Sequence, residues 1–241
     1  MKIIADTHCH TVASTHAYSS VQEMVAAAKE KNLVAVAITD HSQYMPGSPG
    51  PWYFRNLVIL PNIVDGIYLL KGIEVNVCDP GGYLDMDNFT INRLNWVVAS
   101  MHDETFHHFQ YNMEAVTSAW LSVAKNPLVN VIGHSGMEEF QYDYEKVIPE
   151  FGRNGKLVEI NNNSFRVRRG AKKNCKQIAL VCKKYGVPVI LNSDAHSSFQ
   201  VGNVEQAQRL LEEIDFPEEL IVNSNKEKFD NYLKKYTNFF D

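Results

Sequence analysis

Residues 3–10 read IIADTHCH, an apolar run that ends in two histidines spaced two apart. On a strand His8 and His10 share one face and Cys9 points to the other, so the pair can chelate a single ion. The construction recurs as VAVAITDH at 34–41, YLLKGIE at 68–74, WVVASMH at 96–102, VNVIGH at 129–134 and VPVILNSDAH at 187–196. In chain order the residues so presented are His8, His10, His16, His41, Glu74, His102, His134, Asp194 and His196; all but His16 lie at or within the end of such a run. Imidazole and carboxylate suit borderline-soft divalent metals such as zinc. Nine such side chains are too many for one ion and match three.

The apolar runs define seven strands, at 3–10, 33–41, 67–77, 95–102, 129–135, 156–162 and 187–193. Helical patterns alternate with them. Ser20 and Glu23 form a capping box heading VQEMVAAAKEKN, and further helices are expected near 54–64, 111–125, 143–154, 171–185, 204–213 and 226–236. Gly186 suits the left-handed position that ends the fourth of these. Residues 42–51 are rich in Pro and Gly, and Asp79-Pro80-Gly81-Gly82 is a turn signature. Near-continuous apolar strands indicate a parallel sheet buried on both faces. An open doubly wound sheet gathers ligands at one switch point. Here almost every strand brings one, which requires the strand ends to converge in a ring. The expectation is an α/β fold, a TIM-barrel-like (β/α)7 barrel with its site at the C-terminal ends of the strands. In such a barrel the Asp194/His196 pair meets His8/His10 across the seam. No linker or repeat divides residues 1–241.

The composition is that of an ordinary globular chain of 241 residues, 45% hydrophobic and 21% charged. A net charge of −5 lacks the basic footprint of a protein that binds long nucleic acid. No signal-peptide pattern or membrane-length apolar stretch is present. The four cysteines form no C-x-x-C pair and read as reduced thiols, with cytoplasmic residence as the default.

Glu74 closes an apolar run where an unpaired charge is costly, and its two oxygens can bridge two metals. Asp40, adjacent to His41, faces away from it on a strand and is read as either an orienting partner for an imidazole or a solvated or turn-capping carboxylate. His107 and His108 lie beyond a strand end and read as solvated. Tyr44, Trp52, Tyr53 and Phe54 either shape a substrate entrance or pack as a helix. The basic run Arg166, Arg168, Arg169, Lys172 and Lys173 emerges on the ligand-bearing side; it is a solvated helix start or a phosphate-binding fork. No G-x-S-x-G elbow, Walker loop or dinucleotide glycine pattern competes.

The segments DTHCHT, ITDH, GIE and SDAH, with the strand-end His102 and His134, resemble the PHP (polymerase and histidinol phosphatase) family. TVASTHAYS, VDG, EINNNSF and NSDAH extend the likeness to its bacterial phosphatases of the YcdX type, over essentially the whole chain. The resemblance implies a distorted (β/α)7 barrel with three metals, usually zinc. It implies His8, His10, Glu74 and Asp194 around a first ion. Glu74 then bridges to a second ion held by His102 and His134, and His16, His41 and His196 hold a third.

The expected activity is hydrolysis of small phosphomonoesters by metal-activated water. Glu74, Asp194 and His196 are assigned to the chemistry, Arg166, Arg168 and Arg169 to the substrate phosphate, and Asp40 or Asp103 to a possible proton relay. Manganese or iron are alternatives to zinc. The partner is a small phosphorylated molecule, with no membrane and no long nucleic acid. Competing readings are a phosphodiesterase or exonuclease acting on nucleotide ends, amidohydrolase chemistry, and a metal-binding module without turnover.

Overall fold

The computed structural model describes residues 2–241. Its strands in chain order are β1 (Ala5–Cys9), β2 (Ala35–Ile38), β3 (Ile63–Val64), β4 (Ile67–Asn76), β5 (Trp96–Ser100), β6 (Val131–Ile132), β7 (Leu157–Asn161) and β8 (Val189–Asn192). Seven of them run parallel in the order β1-β2-β4-β5-β6-β7-β8, and the two-residue β3 pairs antiparallel with β4 beside that path. All seven expected strands are present. The expected helix at 54–64 is not: the helix Pro51–Asn56 and a short turn Leu57–Ile59 give way to β3. Gly66, at φ 83, makes the tight return into β4 that a helix cannot provide.

The sheet closes on itself between β1 and β8, but not by a full ladder. At the upper end Cys9 bridges Ala195, and the His10 N–H donates to the Ala195 carbonyl at 2.7 Å. Lower down, the buried Asn223 is wedged into the seam. Its Nδ2 donates to the carbonyls of Ala5 (2.8 Å) and Leu191 (2.7 Å), and its Oδ1 accepts from the Leu191 N–H. Side chains thus stand in for missing strand–strand bonds along this seam: Asn223, with Asn192 Oδ1 accepting the Thr7 N–H (2.8 Å) and Asp6 Oδ1 the Ser193 N–H (3.1 Å).

Inside the barrel the side chains form two zones. Ala5, Ala35, Ala37, Leu70, Trp96, Val98, Val131, Leu157 and Ile190 make an apolar floor. The C-terminal helix Lys226–Tyr236, capped by Asn225, closes it from below with Phe229, Tyr232 and Leu233. Above the floor, β4 presents Gly72 and then Glu74. A Cβ on Gly72 would lie 2.7 Å from the Trp96 carbonyl, and one on Gly133 would lie 2.2 Å from Ser100 Oγ. The barrel is therefore pinched at this level.

The alternate residues of the same strands, among them Val36, Ile38, Ile73, Val75, Val97 and Val158, face outward onto the helices. The helices Met113–Lys125 and Ala171–Tyr185 lay Val116, Trp120 and Val123, and Cys175, Ile178 and Cys182, against that outer face. Gly186 ends the latter helix at φ 66, as expected. The Ser20–Glu23 capping box is formed. Cys9, Cys175 and Cys182 are buried free thiols, and Cys78 is partly exposed. Among the described residues no helix is long and apolar enough to cross a membrane.

β1 carries the one irregularity that the site depends on. Ala5 and Asp6 pair with Ala35 and Val36, but Cys9 pairs with Ile38, so the register slips by one between Asp6 and Cys9. Side chains alternate along a strand, and Ala5 and His8 differ by an odd number. The slip lets Ala5 sit in the floor while His8 and His10 also face inward and Cys9 faces out.

Candidate metal centre

At the C-terminal ends of the strands seven histidines and two carboxylates converge around Glu74. The Glu74 oxygens lie 2.7 Å from His41 Nδ1, 2.8 Å from His134 Nε2, 3.3 Å from His8 Nε2, and 3.6 Å from both His10 Nε2 and His102 Nε2. Asp194 Oδ1 lies 3.3 Å from His10 Nε2, 3.7 Å from His196 Nδ1 and 3.8 Å from His8 Nε2. His16, from the loop after β1, reaches in with its Nε2 3.2 Å from His41 Nε2. All nine residues singled out in the sequence are in the cluster. Three of its subsets, His8/His10/Asp194, His10/His41/His196 and His41/Glu74/His102, bring one ligand atom each within 4.8 Å of one another. His41 thus neighbours Glu74 and His102 as well as His16 and His196 and stands between two of these groups.

Whether these residues suit metal ions is decided by their unused atoms. His8 Nε2, both ring nitrogens of His10, His41 Nδ1, Glu74 Oε2, His102 Nε2 and His134 Nδ1 are all buried without a hydrogen-bond partner. His41 Nδ1 and Glu74 Oε2 stand 2.7 Å apart without hydrogen-bond geometry, as two ligands of a shared third atom do. Ligands of one tetrahedral zinc at about 2.0–2.1 Å stand about 3.3 Å from each other, and the donor pairs here fall on either side of that value, from 2.7 to 3.8 Å. Leaving so many buried polar atoms unpaired is costly. The donor set fits zinc.

Second partners fix several of the rings. His8 Nδ1 donates to Glu159 Oε1 at 2.8 Å, His102 Nδ1 to Asn76 Oδ1 at 2.6 Å, and His196 Nδ1 to the Asp194 carbonyl at 2.9 Å. In the His8 and His102 rings this turns Nε2 toward Glu74. Glu159 also accepts the His134 N–H (2.7 Å) and the amides of Asn192 (2.9 Å) and Asn161 (3.1 Å). Asp194 and His134 hold φ of 56° and 25°. Such backbone costs roughly 1–3 kcal/mol and persists where the surroundings dictate it.

Charge in the cluster is balanced only in part. Burial pushes the Glu74 carboxyl up, but His8, His41 and His102 outweigh it and hold it well below the usual carboxylate range. Burial opposes ionisation of Asp194 as well, and His8, His10 and Arg168 overcome it. Burial also pulls the His8 imidazole down, yet Glu159, Glu74 and Asp194 raise it well above its ordinary value. His10 and His102 are pushed well down by burial, and His134 is lowered for the same reason. The position beside His8 calls for positive charge, while neutral imidazoles surround it.

A cleft of about 510 Å³ opens above the cluster, with His16, His41, His102 and His196 in its base and Met45, Tyr18 and Arg168 in its walls. Arg168 Nη1 donates to Asp194 Oδ2 (3.1 Å) and to Ser164 Oγ (3.0 Å). Arg166 also lines the cleft. The structure does not bring Arg169 there: it points outward and pairs with Glu138 at 2.7 Å. Tyr18, in the wall, is largely exposed, and so are Trp52 and Phe199 elsewhere.

Asp40 touches no imidazole. It accepts from the Thr11 N–H and hydroxyl (both 2.8 Å), Ser14 Oγ (2.8 Å) and Tyr53 OH (2.7 Å), and Ser14 Oγ accepts the His41 N–H. Of its expected roles, turn anchoring is the one the geometry supports: it fixes the loop that carries His16. Asp103 is exposed and accepts from Gln110 at 2.7 Å. His107 and His108 are exposed, as expected. Of the four aromatic residues at 44–54, Phe54 is core, Tyr53 bonds Asp40, and Trp52 is 83% exposed.

Sequence reading passed over Glu159, the residue that braces His8 and His134. Its signal was a carboxylate inside the apolar strand LVEIN, the same pattern that marked Glu74.

Residues 6–163 match the family described as the PHP domain. A protein named a probable phosphatase from Acetivibrio thermocellus is 45% identical over 98% of this chain and 97% of its own length. Another of that name from Caldicellulosiruptor saccharolyticus is 42% identical over 97% of each chain. Among solved structures, histidinol phosphate phosphatase from Lactococcus lactis, complexed with zinc, L-histidinol and phosphate, superposes with a TM-score of 0.63 at 18% identity, over 90% of this chain and 95% of that one. A chain of archaeal ribonuclease P with mature tRNA also shares the fold, at a TM-score of 0.55 and 10% identity, over 95% and 89% of the two chains.

Proposed function

The chain belongs to the PHP domain family, and from that premise we propose that it is a metal-dependent phosphatase hydrolysing small phosphomonoesters at a centre of three zinc ions. The observation that carries the reading is the set of buried, unpartnered atoms turned toward one another beneath an open cleft: Nε2 of His8, His10 and His102, Nδ1 of His41 and the Glu74 Oε2. His8, His10, His16, His41, Glu74, His102, His134, Asp194 and His196 would hold the ions. When bound, zinc supplies a water activated near neutral pH and neutralises charge on phosphoryl oxygens.

The chain's own residues do the rest. Glu74, with both oxygens engaged by different histidines, is the natural bridge between ions. Arg168 reaches the cleft wall already bonded to Asp194, which fixes a guanidinium beside the site for the substrate's phosphoryl group. Glu159 and Asn76 hold imidazole rings so that no reorganisation is needed on binding. The names of the close relatives support a phosphatase. The confined cleft and acidic net charge favour a small monoester over a long nucleic-acid strand.

The test is hydrolysis of an aryl phosphate by protein of measured metal content, before and after chelation. Turnover that falls with chelation and returns with zinc, in protein carrying close to three equivalents, is the expected result. Active protein with one equivalent or less overturns the trinuclear centre. Zinc-loaded protein without turnover on any phosphomonoester overturns the phosphatase.

A further inference from the structure

Beside the main cleft, and sharing Asn163, Arg166 and Gln200 with it, lies a recess of about 150 Å³. Its wall is made by five carboxamides, Asn162, Asn163, Gln200, Asn203 and Gln206, together with Arg166 and the hydroxyl of Ser193. No carboxylate, imidazole or apolar side chain lines it, so it is neither another metal site nor a pocket for an apolar leaving group.

The orientation of three of the amides is fixed by what they bond. Asn162 Oδ1 accepts the backbone N–H groups of Gln206 (2.9 Å) and Ala207 (3.1 Å). Gln200 Oε1 accepts the His196 N–H (2.9 Å), and Asn163 Oδ1 accepts from Arg166 Nη2 (3.3 Å). Backbone N–H and guanidinium groups can only donate, so in each case the amide oxygen must be the atom facing them. That leaves the three NH₂ groups as the unused ends, and among the described residues none of them donates to the protein. The Ser193 hydroxyl proton is likewise committed, to Asp6. The recess is therefore lined by one guanidinium and by five amides, three of which have their oxygens already engaged and their NH₂ groups free to donate.

We propose that this recess is a subsite for a second oxyanion, a carboxylate or a phosphate, carried on the leaving group of the substrate. The inference rests on the phosphatase reading and divides the arginines by task. Arg168, bonded to Asp194, serves the phosphoryl group that reacts. Arg166, on the boundary between cleft and recess, serves the anion that does not. A donor-lined cradle with a guanidinium selects acceptors and negative charge over alcohols or amines, because an oxyanion satisfies several N–H groups at once.

Matched compounds test this: glycerol 3-phosphate against 3-phosphoglycerate for a carboxylate, and fructose 6-phosphate against fructose 1,6-bisphosphate for a second phosphate. The readout is each compound's inhibition constant against aryl phosphate hydrolysis, so none of them needs to be turned over. The oxyanion-bearing member of at least one pair is expected to bind about tenfold tighter or better, the size of a charge-assisted hydrogen-bond pair. In Asn203→Leu/Gln206→Leu, at two exposed positions, that ratio is expected to fall toward one. Arg166→Gln reads the same ratio should the double variant lose its metal or its fold. Ratios near one for both pairs in the wild type overturn the subsite, and a ratio unchanged in the variants overturns its location. If aryl phosphate is not hydrolysed at all, the phosphatase reading fails by itself, and the ratios measured calorimetrically on zinc-loaded protein still decide the subsite.

Discussion

On β4, Leu70 and Glu74 point into the same barrel with only Gly72 between them on that face, yet they belong to opposite ends of it. The lower end is a packed floor in which Trp96 lies among Ala5, Ala35 and Ala37 in one apolar cluster, and the C-terminal helix seals it with Phe229 and Tyr232 against the indole. The upper end is all imidazole, carboxylate and carboxamide, buried just as deeply and unpaired at its centre. Removing apolar surface from water at the floor favours folding, whereas dehydrating polar groups at the mouth opposes it. The floor and the outer helical layer therefore stabilise the barrel for a mouth that is unfavourable until ions fill it.

The strongest way to break this contrast is Glu74→Gln, which keeps volume and removes the central charge. Activity is expected to fall by about a thousandfold or more, beyond the 10–100-fold typical of outer-shell changes, with the helical spectrum retained. A variant with a tenth of wild-type turnover and full metal content would show that Glu74 does not bridge. Next in size is metal withdrawal. Ions present at a hundredfold excess over their dissociation constant stabilise by about 2.7 kcal/mol, so chelation is expected to lower Tm by roughly 5–10 °C in a chain of this length. An unchanged Tm would mean that the mouth needs no ions.

Glu159→Gln sharpens the contrast from within the mouth. It should weaken metal affinity by about 10–100-fold, read by competition with a chromogenic chelator, and leave the apo protein folded. Equal affinity in variant and wild type would reduce Glu159 to a packing role. The smallest effect is expected at the floor: Ile190→Val should cost about 0.5–1.5 kcal/mol in unfolding while metal stoichiometry and kcat/KM stay at wild-type values. Altered metal content in that variant would show that the two ends are not independent.

The mouth was the more legible end in the sequence. Histidines and carboxylates at the ends of apolar runs declare both a strand and its C-terminal edge, and nine of them can meet only in a ring. The floor carries no such mark, since its alanines, leucines and valines look like any strand interior. Three further features were hidden for physical reasons. The register slip in β1 depends on pairing with β2, which no local pattern encodes. Asn223 substitutes for ladder bonds from over two hundred residues away from Ala5 in the chain. Arg169 differs from Arg168 only in direction, one turned to Glu138 and the other to Asp194.

The pinch at Gly72 and Gly133 has a kinetic corollary. With the barrel narrowed there and the floor packed below it, the chamber that holds the ligands opens upward, through the cleft beside Tyr18 and Met45. Where substrate and product share that opening, their passage is sequential: an incoming molecule waits until the last product has gone. For a hydrolase built this way, the piece held deepest leaves last and sets the pace. On the proposed phosphatase reading, inorganic phosphate held beside Arg168 would then compete directly with the next substrate for that opening.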